Sequence, residues 1–511
     1  MSRIVRIALA AAILVGLTTA SVPANAASYI PITGTGSTWS QNALDQWRKN
    51  VAANYGMTVN YSGVGSSAGR RDYIAGTVDF AVSEIPFQSS PEDGSAPETP
   101  PRGYAYMPIV AGGTAFMYNL RIGGKRVTNL RLSGDVITKI FTGAITKWND
   151  AAIQADNPAL AMPDKAIVPV VRSDGSGTSA QFTLWMSKQY GNLWKSGMRS
   201  QFPTPPNGKA QNGSLGVAGY VSQDYGEGAI TYVEYSYALK SGFPVAKVLN
   251  ASGYYVEPTA NSVAVALLSA GINSDLTQNL DAVYNSTDKR TYPLSSYSYM
   301  IIPTEVGGIF TADKGATLGA FTRYMLCEGQ QQAPALGYSP LPLNLVQAGS
   351  DQIKRIPGAG SAGIDFNSCN NPTFKPGDSP TSNRLAATAP QPADCDKVGT
   401  TQCATGTAGA PQDTPVTGTG GSGAASGGGT GGTGGTGGGD AGSGGDGGFD
   451  ENGNPLGGDN SSANGAVSKP FTVDDSEMGP SQWLMIAAAL LLFAVILAPP
   501  FISRRLRNSR K

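Results

Sequence analysis

The sequence predicts an α/β protein of two lobes, and three observations carry that reading. The apolar runs "YMPIVAGGTAFMYNL" (106–120), "AIVPVVR" (166–172) and "GAITYVEY" (228–235) have the character of buried strands. "QNALDQWRKNVAANYG" (41–56) has the spacing of an amphipathic helix that ends at Gly56. Strands interleaved with helices favour α/β sheets. Globular composition runs from about Ser28 to Pro357, about 330 residues, which is more than one core usually serves. Two lobes are therefore expected.

The ends of the chain have other characters. Arg3 and Arg6 precede the apolar run "IALAAAILVGL" and the small residues "ANA", the pattern of a secretory signal (1–26) cut after Ala26; the alternative is a first membrane helix. "WLMIAAALLLFAVILAPPFI" (483–502) carries no charge, and at ~1.5 Å per residue it reaches ~30 Å, one hydrocarbon core. Its alternative is a buried core helix. The basic tail "SRRLRNSRK" (503–511) then favours the cytoplasmic side, which makes the protein a single-pass membrane protein with its body outside. Between Ala404 and Gly465 the chain is mostly glycine, serine, threonine and aspartate, too polar to offset the entropy of ordering. It is expected to act as a flexible tether, with a mean reach of about 45–50 Å over about 80 residues, or else as a low-complexity adhesion segment. The expected organisation is signal 1–26, a two-lobed body 27–370, disordered linker 371–482, membrane helix 483–502 and tail 503–511. Lobe 1 would take about 28–110 and 295–370, lobe 2 about 111–294.

Charge and residue types exclude several functions. Cations and acids balance at 36 each, but seven cations lie in the leader and tail, which hold no acids. The exported part thus has 29 cations against 36 acids, a net charge of −7 that argues against nucleic-acid binding. Any anion must be held by local dipoles and a few placed charges. The sequence has no histidine, which removes Ser-His-Asp and Cys-His catalysis and nearly every zinc site, so no metal or cofactor is expected. Cys327, Cys369, Cys395 and Cys403 all lie in the exported half, where disulfides outrank metal ligation. Of three possible pairings, Cys327–Cys369 with Cys395–Cys403 is favoured by the short spacing of the second pair.

Four stretches share one chemical theme. "PITGTGSTWSQNALDQW" sets Ser37, Thr38 and Trp39 before the first helix, and "VNYSGVGSSAGRRDYIAG" does the same with Ser66 and Ser67. "VDFAVSEIPF" brings Glu84 to the end of a buried strand, and "VVRSDGSGTSAQFTLW" adds Arg172 and Asp174 ahead of Ser176, Gly177 and Thr178 at a helix start. Helix N-termini present free N–H groups, glycines admit an anion to the backbone, and an arginine can give an oxyanion two parallel bonds. Taken singly, such a turn is more often a cap, and Asp174 reads as the ion-pair partner that holds Arg172. Arg70 and Arg71, adjacent on a helix, are expected to face solvent, leaving Arg172 as the dominant cation. "GVGSSAG" lacks the dinucleotide spacing and no P-loop occurs, so a nucleotide cradle is not expected.

In combination these stretches resemble the extracytoplasmic phosphate-binding protein of phosphate ABC transporters. "GTGSTW", "YSGVGSSAG", "GTVDFAVSEIPF", "FTGAITKWND", "VVRSDGSGTS", "GAITYVEYSYA" and "LGYSPLPLNLV" stand in the family's order across roughly residues 30–350. The resemblance implies a type II periplasmic-binding-protein fold, with ligand enclosed between two lobes joined by two crossover strands. It implies phosphate held by Thr38, the Trp39 backbone, Ser66, Glu84, Arg172, Ser176, Gly177 and Thr178, and delivery by a monomer to the transmembrane subunits of an ABC permease. Trp39 stands where the family commonly has phenylalanine. Glu84 stands where it usually has aspartate, the carboxylate that accepts a proton from phosphate and so rejects sulfate. Gram-positive relatives are usually lipoproteins; this leader has no cysteine, and the C-terminal helix would supply the attachment. Two other classes compete: a phosphatase or phosphoryl-transfer enzyme using the same cradle, and a surface-anchored sensor or adhesin.

Overall fold

The computed structural model describes residues 29–410. The expected signal (1–26), the greater part of the linker, the membrane helix (483–502) and the tail (503–511) lie outside the described residues. No helix among the described residues is long and apolar enough to cross a membrane.

The first lobe is built from β1 (Ile32–Gly36), α1 (Gln41–Tyr55), β2 (Val59–Ser62), α2 (Ser66–Ala75) and β3 (Phe80–Ser83). In α1 the residues Ala43, Leu44, Trp47 and Val51 form one buried face, and Gly56, at φ 63°, turns its N–H back onto Ala52 O and Val51 O to end the helix. β1 pairs in parallel with both β2 and β3. The chain then enters β4 (Tyr104–Tyr118), which leads into the second lobe. There β5 (Val168–Arg172), α3 (Gly177–Gln189), β6 (Lys209–Gln211), α4 (Gly213–Ser222), β7 (Ala229–Glu234), β8 (Val245–Leu249) and α5 (Ala260–Leu267) follow. β9 (Ser295–Pro303) returns to the first lobe, which α6 (Ala312–Leu326) and α7 (Leu343–Ile353) complete.

In hydrogen-bonded order the main ladder runs β2–β1–β3–β9–β4–β7–β5–β6, with β8 also on β4. β9 pairs antiparallel with β4 from Tyr104 to Gly113, and the remaining stretch, Thr114–Tyr118, pairs with β7. β4 is thus paired with β9 in the first lobe and with β7 in the second. One core gathers Trp47, Phe80, Met300 and Phe321 in the first lobe. In the second, Phe116 and Tyr232 enter one core while their neighbours Met117 and Val233 enter another, the period-2 alternation of a sheet covered on both faces. At the turn between lobes, a Cβ on Gly112 would lie 2.8 Å from the Trp39 ring, and one on Gly113 would lie 2.6 Å from Pro258 on the opposite face. Glycine is required at both.

The expected linker boundary at 371 needs correction. Residues 371–410 form a strap laid across both lobes. Cys369, bonded to Cys327, ties its start to α6. Asn371 Nδ2 and Thr373 Oγ1 both donate to Leu341 O, at 3.1 and 2.8 Å. Ala386 and Ala389 pack on Ala264 and Val265 of α5. Further on, Asp396 pairs with Lys247 of β8 at 2.8 Å, and Arg131 Nη1 donates to Thr401 O at 2.8 Å beside the Cys395–Cys403 disulfide. Thr407 Oγ1 donates to Val245 O at 2.6 Å. Polar composition misleads here because the strap needs no core of its own: its side chains and backbone carbonyls bond polar groups of the lobes.

Candidate functional site

The first lobe supplies an acceptor. β1 ends in Gly36, at φ 132°, where a Cβ would lie 2.1 Å from Val82 O, so glycine alone lets the Ser37–Trp39 turn run this close to β3. β3 leads into Glu84, which is fully buried. Glu84 Oε1 accepts from Ser37 Oγ (2.5 Å) and Ser298 Oγ (2.9 Å), and Oε2 accepts from Ser66 Oγ (2.7 Å) at the start of α2. Ser298 reaches it from β9, beside a register shift in which Ile109 of β4 is the extra residue.

The second lobe supplies a cation. Arg172 ends β5, is 2% exposed, and donates from Nε to Asp174 Oδ1 at 2.7 Å while Nη2 bonds Asp174 Oδ2. Burial by itself would lower the arginine's pKa, but the Asp174 carboxylate more than offsets this and leaves it above the ordinary value. Burial would likewise raise Asp174, and the guanidinium together with the Gly213 N–H holds it below the usual carboxylate range. The pair is therefore fixed in its ionised form. Arg172 Nη1 also donates to Ser214 Oγ at 3.3 Å and Thr178 Oγ1 at 3.5 Å.

The two halves meet. Gly177 N, at the start of α3, donates to Ser66 Oγ at 3.1 Å, and a Cβ there would lie 2.0 Å from Glu84 Oε2. Only glycine fits. Ser214 N, at the start of α4, donates to Thr38 Oγ1 at 3.1 Å, and the two hydroxyls are 2.9 Å apart. Ser67 N donates to Gly175 O at 3.0 Å, and Gln181 Nε2 donates to Glu84 O at 2.8 Å. Ser176 is engaged in starting α3: its Oγ accepts from Ser179 N at 3.2 Å and its N–H donates to Ser200 O at 2.9 Å. Trp39 buries its ring edge-on to Tyr338, and its N–H donates to Ser37 Oγ at 2.9 Å.

All the residues singled out from the sequence thus converge, but the sequence reading omitted others. Ser37 lay inside the quoted "GTGSTW" without being given a role. Ser214 had a signal, since "QNGS" before an apolar run resembles a helix start. Ser298 had none: it meets Glu84 through the pairing of β9 with β3, which hydrophobic periodicity does not reveal. Arg70 is a correction: it is 2% exposed and donates from Nε to Glu98 Oε2 at 2.7 Å, not to solvent. Its partner lies 28 residues away, beyond the reach of helix-face reasoning. Among the described residues no cluster of histidine, cysteine or acidic side chains could hold a metal.

Donors on one wall, a carboxylate acceptor on the other and helix N-termini between them suit a small oxyanion; fold and site together define a two-lobed binding protein for such ligands. A family model described as a PBP superfamily domain matches residues 19–328. The chain is 35% identical over 322 residues to the phosphate-binding protein PstS of Xylella fastidiosa strain Temecula1, covering 62% of this chain and 83% of that one. It is 31% identical over 327 residues to the phosphate-binding protein PstS of Haemophilus influenzae, covering 63% and 92%. A solved phosphate-binding protein from Stenotrophomonas maltophilia, 17% identical, aligns over 65% of this chain and 98% of its own with a TM-score of 0.49. The chain belongs to the PBP superfamily, among its PstS-like phosphate-binding members. The strap at 371–410 lies beyond the residues that the family model matches.

Proposed function

We propose that this protein binds inorganic phosphate between its lobes, outside the cytoplasm, and delivers it to an ABC permease without covalent chemistry. The observation that carries the reading is that the buried Glu84 carboxylate and the ion-paired Arg172 are linked through Ser66 and the Gly177–Thr178 start of α3. Thr38, the Trp39 N–H, Ser66, Arg172, Ser176, Gly177 and Thr178 would turn their donors onto phosphate oxygens. Glu84 would accept the proton that phosphate carries near neutral pH. Sulfate brings no proton, so its oxygen would face the carboxylate with nothing to share, a costly arrangement in a buried site. The names of the relatives support phosphate as the ligand. The tether and the helix at 483–502 would hold the body to the membrane.

Calorimetry of the protein with phosphate, sulfate, arsenate and phosphate esters tests the proposal. Tight phosphate binding with sulfate strongly disfavoured is expected; equal binding of sulfate would overturn it. Hydrolysis of phosphate esters, with or without Mg²⁺, would favour the enzyme reading instead.

A further inference from the structure

Between Glu84 and β4 the chain makes a long acidic loop, residues 86–102, that belongs to the first lobe. Its base is pinned: Glu98 accepts from Arg70 Nε at 2.7 Å, Arg70 Nη2 at 3.2 Å and Gln88 N at 2.8 Å. From that base Glu92 reaches across to the second lobe. Its carboxylate accepts from Ser200 N (2.8 Å), Ser200 Oγ (2.9 Å) and Gln201 N (2.7 Å).

The segment it grips is joined to the anion-binding wall. Ser200 O accepts from Ser176 N at 2.9 Å, and Arg199 N and O both bond Thr183 Oγ1 of α3, at 2.7 and 3.0 Å. Ser67, next to Ser66, adds a longer bond from its Oγ to Ser200 Oγ at 3.3 Å. The contact spans a cavity of about 340 Å³ of mixed lining, with Ser67, Arg70, Glu92 and Ser200 beside Ile74, Ile85 and Met198.

We propose, resting on the phosphate reading, that Glu92 is a positioning residue: a clasp that joins the closed lobes with or without ligand, steadies the start of α3 and slows release of the bound anion. Hydrogen bonds to an ionised group are the stronger kind, and these three exist only between lobes. Their loss should appear in dissociation. Association should not fall, since removing an acid from the mouth cannot repel an anion.

Stopped-flow release of phosphate from the full chain, wild type and Glu92→Gln, tests this. The amide has one acceptor oxygen where the carboxylate has two. Release faster by about tenfold is expected, at unchanged association rate and unchanged Tm. Amide exchange without phosphate gives a second readout: Ser200 and Gln201 should exchange faster in Glu92→Gln and in Glu92→Ala. Unaltered release together with unaltered exchange at Ser200 and Gln201 would overturn the clasp. If the wild type bound no phosphate, the functional proposal would fall, and the exchange comparison would still decide whether the two lobes are joined through Glu92.

Discussion

The two walls of the site bury opposite charges by opposite means. In the second lobe Arg172 is matched with a full counter-charge, Asp174, and both are locked in their ionised states. In the first lobe Glu84 is as deeply buried, yet its three side-chain partners are the hydroxyls of Ser37, Ser66 and Ser298. An ion pair makes a dependable donor that treats all oxyanions alike. A carboxylate steadied by neutral hydroxyls remains responsive to what its ligand carries. On the function proposed above, attraction would be placed on one wall and discrimination on the other.

The largest effect should come from the attracting wall. Arg172→Ala breaks a desolvated pair and strands Asp174, and phosphate affinity should fall by about 2–5 kcal/mol by calorimetry. Wild-type affinity in that variant would mean that the wall is misassigned. On the discriminating wall, Ser298→Ala removes one of two donors to Glu84 Oε1. A loss of about 1 kcal/mol in phosphate binding is expected, because Ser37 still holds the same oxygen.

A third carboxylate provides a control outside the comparison. Glu234 is fully buried at the end of β7, accepts at Oε2 from Ser236 N, and has no partner for Oε1 among the described residues. Burial pushes its carboxyl well above the ordinary 4.5. A group raised on folding contributes stability that is complete below the unfolded value and is lost as pH rises from there through the folded one. Glu234→Gln should therefore raise stability near neutral pH by on the order of 1–3 kcal/mol, with a higher Tm, and change little near about pH 4. Thermal melts at the two pH values check it. A gain of equal size at both would assign the effect to packing.

Much of both walls was legible in the sequence because each stands on a local pattern. "VVRSDGSGTS" holds a strand end, an ion pair and a helix start within ten residues, and "GTGSTW" holds a tight turn before a helix. The α/β fold with long buried strands was legible for the same reason. What escaped depends on partners far along the chain. Ser298 meets Glu84 across 214 residues through the pairing of β9 with β3, Arg70 finds Glu98 on a loop, and residues 371–410 order themselves on surfaces that include Arg131, 270 residues before Thr401. Composition reports whether a segment can form its own core, and not whether another core will take it in.

The central claim is that Glu84 reads the proton on the ligand. Its most direct test is the phosphate-to-sulfate affinity ratio, measured by calorimetry in the wild type and in Glu84→Gln. Glutamine can donate as well as accept, so it removes the penalty on sulfate while leaving phosphate an oxygen to bond. The expected result is a fall in the ratio of at least about tenfold, driven mostly by tighter sulfate binding. A ratio that does not move beyond error would contradict the claim and reduce Glu84 to a structural acceptor.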